Sequence, residues 1–160
     1  MRKRLILLLL SAVFVFAMTL TAGAYHITYV GDGEVAIGGV TLTSTEDYVQ
    51  SIYGTPDDVS YANNAVWGNT HTARYGKSFF ITYDSSGGII DVKTTANNGL
   101  KTPSGFTVGQ DISLVTNYFN PAALRKGDHF YACNGSWEQN MMFKYNRKHK
   151  ISEISIYWTP

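Results

Sequence analysis

The chain has 160 residues, with 13 Lys and Arg against 12 Asp and Glu, one cysteine and 14% aromatic residues. So even a balance excludes the overall basic excess on which nucleic-acid binding relies, and a lone cysteine excludes an intramolecular disulfide framework. The length suits one ordinary domain or two small units sharing a core.

Arg2-Lys3-Arg4 is a positive start, Leu5 to Leu20 an apolar run, and Ala22-Gly23-Ala24 a set of small residues. That three-part pattern predicts a signal peptide over residues 1–24, cleaved after Ala24. The apolar run falls short of the roughly 20 residues of a spanning helix and ends in small residues. No membrane span is therefore expected after cleavage, and the mature chain is expected to be extracytoplasmic, either periplasmic or secreted. Without residues 1–24 it carries ten Lys and Arg against twelve Asp and Glu, net −2.

Residues 25–39 read as an N-terminal strand or extension. Tyr25 to Val30 alternates like a strand, Gly31-Asp32-Gly33 breaks it, and Glu34 to Ile37 resumes before Gly38-Gly39. A helix then begins near Thr43 or Ser44, either of which can accept from the first free N–H groups, with Glu46 and Asp47 suiting its positive end. Tyr48, Val49, Ile52 and Tyr53 share an apolar face, and Gly54 with Pro56 ends the helix. Strands are expected over 58–62, 70–75, 78–84 and 89–94, and a polar connector runs from Asn97 to Gly105. A second helix follows with the face Leu114, Val115, Tyr118 and Phe119, where Asn120 replaces the capping glycine and Pro121 follows. Strands are expected next over 129–133, 141–146 and 151–157.

Phe79–Thr94 aligns without a gap on Met141–Ile156, an offset of 62, and the two helix faces are offset by 66. Two motifs in one order at nearly one separation predict an internal duplication. The expected fold class is therefore α+β: two repeated units, each a short helix packed on one face of an antiparallel β-sheet. Unit one is residues 40–97 and unit two residues 98–160. Strand parity puts Phe79, Ile81 and Tyr83, and likewise Met141, Phe143 and Tyr145, on the helix-facing side. Phe80, Thr82, Met142 and Lys144 fall on the other. Units of roughly 65 residues are marginal alone, so the two are expected to pack together.

Val40 to Pro56 and Gly105 to Pro121, each with its later hairpin, resemble the tandem repeats of the β-lactamase-inhibitor-protein fold. They also resemble the single unit of small bacterial outer-membrane assembly lipoproteins that share it. The resemblance spans about Val35 to Tyr157. It implies helices on one face of an antiparallel sheet and a concave face able to meet a partner protein. The chain lacks the lipid-attachment cysteine and, with Cys133 alone, the inhibitor fold's paired disulfides; no inhibitory-loop residues are carried over.

His26, His71, His129 and His149 show no His-x-x-x-His spacing, and no nucleophile elbow or phosphate-cradling glycine loop occurs. No catalytic residue, cofactor or metal is expected, and the chain is read as not an enzyme. Asp57-Asp58 can be paired carboxylates or a loop cap, and Asn134-Gly135-Ser136 matches a glycosylation acceptor. Cys133 reads as a nucleophile, an intermolecular bridge or a small apolar strand residue. Residues 25–100 carry three basic and eight acidic groups and residues 101–160 carry seven and four, the surplus gathered in Arg147-Lys148-His149-Lys150. Such a turn either steers an acidic partner or guards an edge. Trp67, Tyr75 and Trp137 are either core or interface anchors. The candidate partner-binding set is thus Trp67, Tyr75, Trp137, Arg147, Lys148 and Lys150. It belongs to a non-catalytic module recognising a protein in the cell envelope through the outer sheet face and its turns. The alternative is a binder of cell-wall glycan or a small ligand through exposed aromatics. Oligomeric state is left open.

Overall fold

The computed structural model describes residues 30–135 and 138–159. The signal segment and the strand expected from Tyr25 lie outside the described residues, apart from Val30, which makes an isolated parallel bridge to Gly135. After a 3-10 turn at Asp32–Glu34, β1 (Ala36–Ile37) and β2 (Val40–Thr41) form a two-stranded hairpin. Its turn residues Gly38 and Gly39 have φ of 59° and 82°, the left-handed region that glycine enters without strain. A Cβ on Gly38 would also collide with the Tyr53 hydroxyl, which donates to the Gly38 carbonyl at 2.5 Å. That bond ties the hairpin to helix α1 (Glu46–Tyr53).

The cap of α1 is Thr45, whose hydroxyl accepts from the Tyr48 N–H at 3.2 Å. The expected cap lay one or two residues earlier. There, Ser44 instead accepts from the Thr41 N–H at 3.0 Å and closes the turn after β2. Gly54 ends the helix at φ 77°, as the Gly-x-Pro sequence requires.

Four strands follow: β3 (Asp58–Asn64), β4 (Gly68–Tyr75), β5 (Phe79–Tyr83) and β6 (Ile89–Thr94), each antiparallel to the next. Helix α2 (Ser113–Tyr118) and a 3-10 turn at Pro121–Ala123 lead to β7 (Leu124–Gly127), β8 (Phe130–Asn134), β9 (Gln139–Tyr145) and β10 (Ile151–Trp158). Strands β6 and β10 pair antiparallel, with Ile154 opposite Thr94 and Ile156 opposite Val92. All eight strands thereby form one sheet in the order β3-β4-β5-β6-β10-β9-β8-β7.

This corrects the expected α+β fold of two repeated helix-on-sheet units. Among the described residues the chain is mostly β, a continuous eight-stranded antiparallel sheet with the small β1–β2 hairpin and two helices of eight and six residues. Within each helix a single residue, Val49 or Val115, is fully buried. Tyr48, Ile52 and Leu114 of the expected apolar faces are 45–47% exposed, so the helices are small covers on a sheet rather than half of each unit. Asn120 is also not a left-handed helix cap. Phe119 ends α2 in extended backbone, and Asn120 caps the following 3-10 turn by accepting from the Ala122 N–H at 2.9 Å.

One face of the sheet is dry. Ala73, Phe79, Ile81, Tyr83, Val92, Cys133, Met141, Phe143, Ile154 and Ile156 lie on it, buried beneath Val35, Ile37, Val40, Val49, Phe106, Val108, Val115 and Phe119. Rings interlock there: Phe106 meets Phe143 edge-on at 5.4 Å, and Tyr53 meets Phe79 at 5.0 Å. Burying such side chains contributes roughly 1.5–3 kcal/mol each, so the covered face holds the fold together.

Candidate functional site

The opposite face of the sheet is built by strand parity. Because partners across an antiparallel ladder point the same way, the register defines whole rows of side chains. One row runs the full width: Asp58, Arg74, Phe80, Lys93, Ser155, Met142, Ala132, Arg125. A second row runs Ser60, Thr72, Thr82, Asp91, Tyr157, Asn140. Phe80, Met142, Tyr157, Arg74, Lys93 and Asp91 are half-buried, while the buried residues of the described helices and loops, Val35, Val49, Phe106 and Val115 among them, pack on the other face. The strands bring to one surface aromatic rings, a methionine and two arginines, residue types enriched at protein interfaces, together with lysines, which are depleted there.

Charge on this face is arranged around the apolar groups. The Lys93 ammonium sits 5.4 Å from the Phe80 ring centroid, a cation–π contact. Arg74 Nε lies 3.8 Å from Asp58, and Lys144 meets Glu153 at 2.8 Å. Arg125 donates to the Asn140 side-chain carbonyl at 3.1 Å. Burial pushes the Asp91 carboxyl up to about 6, with Glu153 adding to the rise while Lys93 and Lys144 oppose it. In the first row Ser155, 2% exposed, has a buried hydroxyl without a hydrogen-bond partner.

The residues nominated from sequence are not gathered into one site. Trp67 is half-buried in the β3–β4 turn. Tyr75, expected as an accessible aromatic, is 7% exposed, its ring packed against Tyr53 at 5.7 Å and Phe79 at 6.1 Å. It faces the core because it stands opposite Phe79 on the dry side of the ladder. Trp137 lies outside the described residues. Arg147, Lys148 and Lys150 are exposed in the β9–β10 turn, where Lys150 pairs with Asp111 at 3.4 Å. That turn and the β3–β4 turn sit at opposite strand ends in opposite halves of the sheet, so basic turn and Trp67 share no surface.

The two aligned turns do share local chemistry. Asp84 Oδ1 accepts from the N–H groups of Ser86 and Gly88, and Asn146 Oδ1 from those of Lys148 and Lys150. Gly87 and His149 both take positive φ, 85° and 58°. The bond from Ser86, with those from backbone N–H groups, holds Asp84 below the usual carboxylate range. Since β6 and β10 run antiparallel, the turns point in opposite directions.

On the dry side, His71 stacks on Tyr83 at 4.8 Å and stands 3.9 Å from Glu46, while His129 meets Tyr145 edge-on at 5.8 Å. The Tyr75 and Tyr83 hydroxyls are buried near each other without a well-formed hydrogen bond, and burial raises both phenols above their usual range. A cleft of about 430 Å³ opens beside Ala36, Gly38, Tyr53, Leu100, Thr102 and Pro103. A second, about 270 Å³, adjoins it at Tyr53, Tyr75, Phe79 and Leu100. No cluster of metal-ligating residues occurs among the described residues. Cys133 is buried and free, its thiol pushed up to about 12 by burial, which keeps it from acting as a nucleophile.

Among the described residues no helix is long and apolar enough to cross a membrane. No protein-family model and no curated protein matches the chain. Among solved structures, it is similar to a cysteine-rich secretory protein of Staphylococcus aureus subsp. aureus Mu50. The TM-score is 0.56 at 13% identity, over 82% of this chain and 49% of that one. An extracellular protein containing an SCP domain from Bacillus anthracis str. Ames gives TM-score 0.48 at 7% identity, over 88% and 48%. A DUF4309 family protein from Bacillus subtilis gives 0.41 at 10% identity, over 76% and 83%. The first likeness is one of fold, and the chain spans about half the length of the first two proteins.

Proposed function

We propose that the protein is an extracytoplasmic, non-catalytic binding module that recognises a protein partner in the bacterial cell envelope through the uncovered face of its sheet. The observation that carries this is the full-width row from Asp58 to Arg125, in which Phe80 and Met142 alternate with Arg74, Lys93 and Arg125. Apolar anchors set among cations suit a partner surface that is itself apolar with carboxylates at its rim. The signal-like start at residues 1–24 and the secretory and extracellular proteins among the structural neighbours support the compartment. No cofactor, metal or nucleic acid enters this function.

The alternative, a glycan or small-ligand binder, draws on the clefts at Tyr53, Tyr75 and Leu100. Both are tested by capture from envelope extract with the mature protein and with Phe80→Asp, which places a charge amid the uncovered face. A protein retained by the wild type and lost with Phe80→Asp is the expected result. Retention of glycan fractions alone, unaffected by Phe80→Asp and lost with Leu100→Asp, would contradict the protein-partner proposal.

A further inference from the structure

The two edges of the sheet are unlike each other. Natural sheets blunt their edges with short strands, lysines, prolines or bulges, since an unpaired strand offers N–H and C=O groups to any other chain. Strand β7 follows that rule: it has four residues, two of them Arg125 and Lys126, and Pro121 stands just before it. Strand β3 breaks it. Asp58-Val59-Ser60-Tyr61-Ala62-Asn63-Asn64 has seven residues, all exposed, and holds seven consecutive pairs with β4 without a bulge. It contains no Lys, Arg or Pro, and Tyr61 is 82% exposed.

We infer that β3 is the interface of a homodimer, pairing antiparallel with the β3 of a second copy about a two-fold axis at Tyr61. Sequence self-complementarity selects this occupant. In that register Tyr61 faces its own copy, Val59 faces Asn63, and Ser60 faces Ala62. Asp58, the strand's one charge, faces Asn64, so no like charges oppose. Aromatic side chains directly opposite across an antiparallel ladder stabilise it, and Tyr61 lies with its ring 6.0 Å from that of His71 while 82% exposed. Because the β7 edge is guarded, pairing closes at two copies rather than growing into a fibre.

A chain beginning at Tyr25 would be too short before Val30 for its first residues to reach this edge. Val30 bridges Gly135 just past β8, six strand positions from β3, or roughly 29 Å at 4.8 Å per strand. Residues 25–29, fully extended, span at most about 18 Å.

Sedimentation of mature protein across low to high micromolar concentrations tests the inference directly. Wild type is expected to move from one to two chain masses, and Tyr61→Lys, folded by circular dichroism, to stay at one. A second arm does not depend on that variant folding well. Opposed Cα atoms in an antiparallel pair lie about 4.5–5.5 Å apart, within disulfide range, so oxidised Tyr61→Cys forms a covalent dimer in high yield. Val66→Cys, 59% exposed but beyond the paired strand, links no more than by collision, and buried Cys133 adds no background. Three results would each overturn the inference: a wild type at one chain mass throughout, a dimer that persists in Tyr61→Lys, or Tyr61→Cys linking no better than Val66→Cys. A monomer whose β3 captures an extended foreign peptide would also overturn it in favour of that occupant.

Discussion

Replacing Asp91 by Asn removes the one carboxylate that the uncovered face holds against its will to ionise. An aspartate ordinarily titrates at 3.8, whereas burial moves Asp91 to about 6. Ionising it in the folded protein therefore costs up to about 3 kcal/mol more than in the unfolded chain. The sign follows from the proton balance. Below pH 3.8 the group is protonated in both states and its contribution to stability is fully present. As pH rises through 6, the unfolded chain has released its proton while the folded protein must still be made to, and that stability is lost. The gap between Asp91→Asn and wild type should then be near zero in acid and open toward about 3 kcal/mol in favour of the variant above pH 6. Urea unfolding of both proteins over a pH series measures the gap, and taking the difference cancels Asp84 and Asp111, whose lowered values act in the opposite direction. A gap that does not change with pH, or a variant less stable above pH 6, would refute the burial of Asp91 between Thr82 and Tyr157.

Phe143→Ala, beneath Phe106 and Phe119 on the dry face, should cost about 3–5 kcal/mol in the same assay. Leu114→Ala on exposed α2 should stay within about 0.5 kcal/mol. Thr45→Ala should cost about 1 kcal/mol by freeing the Tyr48 N–H. Cys133 should react with a thiol reagent only at the rate of unfolding, followed by absorbance at neutral pH, since its thiolate is both buried and disfavoured.

Strand content was legible wherever alternation was strong. Phe79 to Tyr83 and Ile89 to Thr94 declare themselves by period two and β-branching, and Phe79, Ile81, Met141 and Phe143 are buried as parity requires. Leu124-Arg125-Lys126-Gly127 carries no such alternation; it is a strand because β8 offers it an edge. Helix signals misled by being clear. Gly54 marks a real end, the cap at Thr45 lies just past the expected Thr43 or Ser44, and Pro121 stands a few residues beyond the end of α2, but such signals report nothing about how much surface a helix covers. That is why a helix burying one valine was read as half of a repeating unit. The seam between β6 and β10 is a contact between residues sixty positions apart, and no local pattern encodes it. The site was missed for a related reason. Phe80, Met142 and Lys144 were placed on the outer face, but Arg74, Lys93, Arg125 and Tyr157 join them only once strand order is known. Nominating by residue type selected Tyr75, which the register turns inward.

The claim that the uncovered face meets a protein is tested most directly by lysine footprinting. Mature protein is acetylated briefly, alone and in envelope extract, and each lysine is read by mass spectrometry. Protection of Lys93 and Lys144, with Lys77, Lys101 and Lys148 as reactive as in the free protein, is the predicted result. Unchanged Lys93 and Lys144 beside a protected Lys101, at the rim of the cleft by Tyr53 and Leu100, would contradict it.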